Sequence, residues 1–187
     1  MNRKIFYDKI RASLFHGILS ESKVDSIEAI LHECEINDIT DYREMAYIFA
    51  TIFHETAGTM QPIEEYGKGA GHAYGKKIKQ DRSTYLAPPK IFYGRGFVQL
   101  TWYENYERMG KHLGVDLLNH PELALQLDIA SRIIIEGMTK GMFTGRKLSD
   151  YFNDETTDYI KARTIINGND CAEKIAGYAN KFFTALY

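Results

Sequence analysis

The stretch from Ala57 to Tyr93 limits this chain more than any other. Gly58, Gly67, Gly69, Gly71 and Gly75 interrupt it, and Pro62, Pro88 and Pro89 remove backbone donors. Neither a long helix nor a central strand runs through such a segment. On both sides apolar residues recur at three- and four-residue steps, the period of amphipathic helices. A stretch this long without regular structure is usually functional or mobile in a compact domain. The chain is therefore expected to be mainly α, with a long irregular loop segment inserted between helices.

The periodicity predicts a short first helix containing Ile5, Leu14 and Ile18. A second runs from Ser22 to about Cys34, with Val24, Ile27, Ile30 and Leu31 on one stripe. Thr40 is placed to cap a third, with Glu44 near the capping-box position. That helix carries Met45, Ile48, Phe49, Ile52 and Phe53 and ends at His54-Glu55. Helices resume over 102–113 and from Pro121 through Leu123, Leu125, Leu127 and Ile129 to Ile133–Ile135. Others are expected over 148–152, over 156–165 and from Cys171 to the end. No repeat or linker is visible, so the 187 residues are read as one domain.

Composition excludes several classes. The formal net charge is -2, so no global basic field favours nucleic acid. Lys68, Lys76, Lys77, Lys79 and Arg82 nevertheless crowd one segment, either as a solvated loop or as a surface for an anionic polymer. Cys34 and Cys171 are too few for a disulfide framework, and no Cys/His cluster predicts zinc. The N-terminal segment keeps charges at Asp8, Lys9 and Arg11, unlike a signal peptide. The expected location is the cytoplasm. No stable membrane insertion and no cofactor are expected, and a monomer is.

The candidate chemistry lies in carboxyl groups. His54-Glu55 would need a second histidine at position 58 to bind zinc as a metalloprotease does, and Gly58 stands there. Glu55 then reads as a carboxyl beside Ile52 and Phe53, where desolvation would favour the protonated form that a general acid needs. The simpler reading of these residues alone is a helix-end glutamate in an ordinary salt bridge. Glu64 and Glu65 follow on the irregular segment. Two carboxyls flanking one bond are what glycoside hydrolysis requires, one to protonate the leaving oxygen and one to activate water. The run Tyr93-Gly94-Arg95-Gly96-Phe97-Val98-Gln99-Leu100-Thr101-Trp102 mixes aromatic faces with amide and hydroxyl groups, a combination suited to a sugar. Asn167-Gly168 either caps a helix or turns an amide into a cleft.

Taken together, His54-Glu55-Thr56, Tyr93–Thr101, Asn105-Tyr106 and Ile166-Asn167-Gly168 resemble glycoside hydrolase family 19, over about residues 42 to 180. That family holds plant-type chitinases and a set of phage endolysins. The opening 40 residues and Met60-Gln61-Pro62-Ile63 are most similar to the phage and prophage branch. The resemblance implies a lysozyme-like, two-lobed helical fold with a substrate cleft, and an inverting mechanism. Glu55 matches the general acid, and Thr101 the hydroxyl that helps hold the attacking water. Gln99, Asn105 and Asn167 match sugar-binding polar residues, with which His54 is grouped; Tyr93 and Arg95 match the cleft floor. The base is Glu64 or Glu65, with Glu65 preferred. The implied substrate is peptidoglycan, with chitin as the alternative, and a member that lost its base would be a glycan-binding or phage structural protein.

Overall fold

The computed structural model describes residues 1–187. Its helices are α1 (Arg3–Ser13), α2 (Glu21–Ile36), α3 (Tyr42–Glu55), α4 (Tyr103–Leu113), α5 (Leu127–Lys140) and α6 (Ala172–Leu186). Strands β1 (Ile63–Glu64) and β2 (Arg95–Gly96) pair antiparallel, with Ile63 opposite Gly96 and Glu64 opposite Arg95. No helix is long and apolar enough to cross a membrane. The chain divides into two units, Met1–Met60 with Ile135–Tyr187, and Gln61–Ile134.

The first unit is organised around α3. Every residue from Met45 to Ile52 is buried, as expected of a helix that is apolar all round. Phe49 stacks on Phe182 at 5.4 Å and meets Phe6 at 5.9 Å, while Phe53 meets Tyr178 edge-on at 4.7 Å. On α6 the buried stripe is Ala172, Ile175, Ala176, Ala179, Phe182, Ala185 and Leu186. Its alanines let the α6 backbone approach α3, and Phe182 fills the space they leave.

Three local expectations are corrected here. The cap of α3 is Asp41 rather than Thr40: the Asp41 carboxylate accepts from the Arg43 N–H at 2.8 Å. An ionised carboxylate is the better acceptor at a helix N-terminus. The first helix ends at Ser13, and Ile18 lies beyond it, 75% exposed. Gly17, at φ 85°, turns the chain there. The segment expected to be helical over 156–165 is a 3₁₀ turn at Lys161–Ile165 only, preceded by a bridge between Phe152 and Thr157.

The second unit holds most of the glycine-rich stretch. It is irregular as expected, with β1, a 3₁₀ turn at Tyr74–Lys76 and a bridge from Ile78 to Thr84 inside it. An aromatic cluster anchors it. Phe92 lies 5.5 Å from Tyr85, 5.4 Å from Tyr103 and 5.1 Å from Tyr106, ring to ring. The 93–102 run makes a tight reversal rather than a strand: Arg95 and Leu100 exchange backbone hydrogen bonds, and Gln99 and Trp102 have positive φ.

Candidate active site

Glu55 is the last residue of α3, and the turn after it is clamped. The Thr56 hydroxyl donates to the Ile52 carbonyl at 2.7 Å and accepts from the Met60 N–H at 3.0 Å. Thr56 is 1% exposed, so the threonine of His-Glu-Thr is a backbone clamp. The surroundings of Glu55 differ from the apolar ones expected. Its Oε1 accepts from Arg163 Nη1 at 2.6 Å, and the two side chains are 19% and 4% exposed. Arg163 also donates through Nε to the Asp170 carbonyl at 3.1 Å and lies 3.5 Å from the Asp170 carboxylate. Burial is the largest single influence and works against the guanidinium's charge, but the hydrogen bond to Glu55 together with the charges of Glu55, Asp170 and Tyr47 holds Arg163 above the usual arginine range.

His54, the neighbour of Glu55, is half-buried. Burial pushes its imidazole below the ordinary histidine value, with the Glu55 carboxylate opposing and Arg163 adding to the shift. Behind the pair, one and two turns back along α3, lie Thr51 and Tyr47. Both are fully buried and neither hydroxyl has a hydrogen-bond partner. Asn167 is exposed, and its Oδ1 accepts from the N–H of Gly168 at 2.9 Å. Gly168 does not cap the helix: the 3₁₀ turn closes at Ile166, and Gly168 has no positive φ.

In the second unit, Glu64 ends β1 and Glu65 follows it, and the two are held differently. Glu64 accepts a very short hydrogen bond from the Tyr93 hydroxyl, sits 3.1 Å from Lys68 Nζ and 3.9 Å from Arg95 Nε. The Tyr93 bond first, then Lys68, holds its carboxyl below the usual carboxylate range. Glu65 is more sheltered, with its side chain 18% exposed. It accepts from the Tyr74 hydroxyl at 3.1 Å and from the Gly94 N–H at 2.8 Å. The Tyr74 hydroxyl is pushed up to about 12, by burial and then by Glu65. A Cβ at Gly94 would come within 2.6 Å of Gln99 Oε1, so a larger residue there would have to displace the Gln99 side chain.

Other residues expected to touch sugar are engaged by the protein. Gln99 Nε2 donates to the Ile63 carbonyl at 3.0 Å, tying β1 to the reversal. Arg95 is 6% exposed, lies 3.6 Å over the Tyr93 ring and donates to the Ile91 carbonyl and the Tyr106 hydroxyl. Asn105 accepts from Arg108 at 2.8 Å. Thr101 is half-buried. The reasoning from sequence missed Arg163, Asp170 and Tyr74. A signal for Arg163 was present: it is the one charged residue in Ala162–Ile166, and a buried arginine requires an anion.

The geometry has parallels in known proteins. The family model of class I chitinases (glycoside hydrolase family 19) matches residues 29–135. Over 96 residues the chain is 38% identical to Endochitinase 1 of Theobroma cacao, which covers 46% of this chain and 29% of that protein. It is 37% identical over 92 residues to inactive chitinase-like protein 1 of Hevea brasiliensis, covering 45% of this chain and 29% of that one. The chain thus spans less than a third of the length of these relatives. Its fold is shared with chitinase C of Streptomyces griseus, at a TM-score of 0.63 and 22% identity over 99% of this chain and 69% of that chain. On the match to its family model, the chain belongs to glycoside hydrolase family 19.

Proposed function

We propose that the protein hydrolyses the β-1,4 backbone of peptidoglycan with inversion, as an endolysin of phage or prophage origin. Glu55 gives its proton to the glycosidic oxygen as the C–O bond breaks. Glu65 takes a proton from the water whose oxygen bonds to the anomeric carbon, and Thr101 orients that water. The observation that carries this reading is the Glu55–Arg163 contact at 2.6 Å. Arg163 occupies Oε1, which leaves Oε2 to carry the transferable proton. Once the proton has gone, the buried guanidinium stabilises the carboxylate that remains. Glu65 is preferred to Glu64 because a base must accept a proton. The hydrogen bond from Tyr93 and the charge of Lys68 make Glu64 the weaker base. In this reading the protein is made in the host cytoplasm and acts on the wall as a monomer after release.

A second reading, chitin hydrolysis by the same residues, is favoured by the names of relatives such as the cacao endochitinase. The name of the Hevea relative allows a third, a glycan-binding protein without activity. One assay separates them. Purified protein is added to outer-membrane-permeabilised Gram-negative cells and to colloidal chitin. Clearing of the cells alone supports the endolysin, and the reducing ends among the released muropeptides identify the bond cut. Reducing sugar from chitin alone supports the chitinase. Silence in both would sink the hydrolase reading.

A further inference from the structure

A strongly positive segment follows Glu64 and Glu65. From Lys68 to Lys90 the chain carries Lys68, Lys76, Lys77, Lys79, Arg82 and Lys90 against one acid, Asp81, within a protein whose formal net charge is -2. The fold gathers these cations. A Cβ on Gly75 would lie 2.0 Å from the Gly69 carbonyl oxygen, so the turns carrying Lys68 and Lys76 pack backbone on backbone. Tyr74, at the start of the Lys76 turn, donates to Glu65. A short hairpin follows, closed by Tyr85 N–H to the Lys77 carbonyl at 3.2 Å and Lys79 N–H to the Ser83 carbonyl at 2.8 Å. Tyr85 roots it in the aromatic cluster, and Lys79 lies 4.4 Å over the Tyr103 ring.

Most of this charge is not neutralised within the protein. Lys68 pairs with Glu64, but Lys76, Lys77 and Arg82 make no ion pair. Asp81 is engaged by Ser83, through N–H at 2.9 Å and hydroxyl at 2.6 Å. Like charges kept this close on an ordered hairpin repel one another, and a negatively charged partner relieves that. Chitin is uncharged. Peptidoglycan carries free carboxylates on the peptides attached to alternate sugars.

We propose that the Lys68–Arg82 surface binds the stem-peptide carboxylates of peptidoglycan and so selects that polymer over chitin. The inference rests on the hydrolase reading for its substrate, but it is tested by binding alone. Wild-type protein and a Lys76→Glu, Lys77→Glu, Arg82→Glu variant are co-sedimented on ice with purified sacculi. A second set of sacculi has its carboxylates converted to amides. At low salt, the variant and the amidation should each lower binding on the order of tenfold, as expected from three exposed ion pairs. Combining them should add little, because both remove the same contact. Added salt should erase the difference. A Lys76→Gln, Lys77→Gln, Arg82→Gln variant with an unchanged circular dichroism spectrum should fall between, which separates lost attraction from added repulsion.

The proposal is overturned if the variant binds native sacculi as wild type does, if amidation changes nothing, or if the two effects multiply. Equal charge-dependent binding to duplex DNA would also overturn it, by making the surface a general polyanion site. Sedimentation does not require cleavage. A protein that cuts no glycan but shows this pattern loses the hydrolase reading and keeps the surface; one that cuts glycan without the pattern loses only the surface.

Discussion

Glu55 in the first unit and Glu65 in the second are almost equally sheltered, at 19% and 18% side-chain exposure, yet they are held by opposite means. Glu55 ends a helix that is buried from Met45 to Ile52, and it faces a guanidinium. Glu65 lies in irregular chain and is held by a phenol and a peptide N–H. The difference bears on what each group does during a proton transfer. A general acid finishes its step as an anion, and a cation already in place stabilises that state. A general base finishes neutral. Uncharged donors let it gain a proton without orphaning a buried charge. Exposure does not distinguish the two carboxyls; the charge of the partner does, and it is consistent with the roles proposed for them.

The sharpest way to break this comparison is to neutralise each carboxyl in turn. Glu55→Gln and Glu65→Gln should each lower turnover on the true substrate by about 10²–10⁴-fold, the usual contribution of a general acid or base. Their stabilities should differ. Glu55→Gln leaves Arg163 with a weaker partner and should destabilise by about 1–3 kcal/mol. Glu65→Gln keeps an acceptor for Gly94 and should cost less than about 1 kcal/mol. Turnover and urea midpoints read both. If Glu64→Gln is the inactive variant instead, the role of base passes to Glu64.

Arg163 tests the cationic half of the comparison. Arg163→Met leaves Glu55 half-buried and unpaired, and should destabilise by about 3–5 kcal/mol. Tyr74→Phe, which removes the neutral phenol donor from Glu65, should cost only about 1 kcal/mol. Similar losses in the two variants, measured by chemical denaturation, would show that the guanidinium holds Glu55 no more firmly than the phenol holds Glu65.

How much of this could be read in the sequence depended on range. Helix periodicity located the core of α3 because Met45–Ile52 is apolar on every side, and Pro121 marked the 3₁₀ turn that leads into α5. Caps and ends were less legible. Thr40 and Asp41 are both good caps, and only the backbone geometry picks Asp41. The site was legible where a motif is local, as in His54-Glu55-Thr56. It was not legible where a partner comes from far along the chain: Arg163 is 108 residues from Glu55. The amide of Gln99 and the guanidinium of Arg95 resembled sugar ligands in sequence, but the tight reversal they occupy leaves backbone carbonyls that they satisfy.

A smaller effect is expected beneath Glu55. The hydroxyls of Tyr47 and Thr51 are buried without hydrogen-bond partners. Replacing a truly unpaired hydroxyl by a group of the same shape is close to neutral, whereas breaking a water-bridged one costs about 1 kcal/mol or more. Thr51→Val and Tyr47→Phe should therefore leave stability within about 1 kcal/mol of wild type. A larger loss would mean that ordered water links these hydroxyls to Arg163, and that the first unit's site extends deeper than its ion pair.

The smallest expected effect is in pH dependence, and it separates His54 from Glu64 by window. His54 has a folded pKa below its ordinary value of 6.5, mainly through burial. Below pH 6.5 the unfolded chain binds a proton that the folded chain resists, so stability falls as pH drops through that window and then levels off. Glu64 has a folded pKa below its ordinary 4.5, first through Tyr93 and then through Lys68. Its contribution is present above that value and is lost as pH falls further, through the folded pKa. The acid limb should therefore descend in two stages, the upper one set by His54 and the lower one shared by Glu64 with other carboxylates held below their ordinary range, Asp41 and Asp158 in the first unit among them. Urea midpoints of His54→Asn should lose the upper stage, and those of Glu64→Gln only part of the lower. If His54→Asn leaves the slope between about pH 7 and pH 5.5 unchanged, burial at His54 does not set that stage.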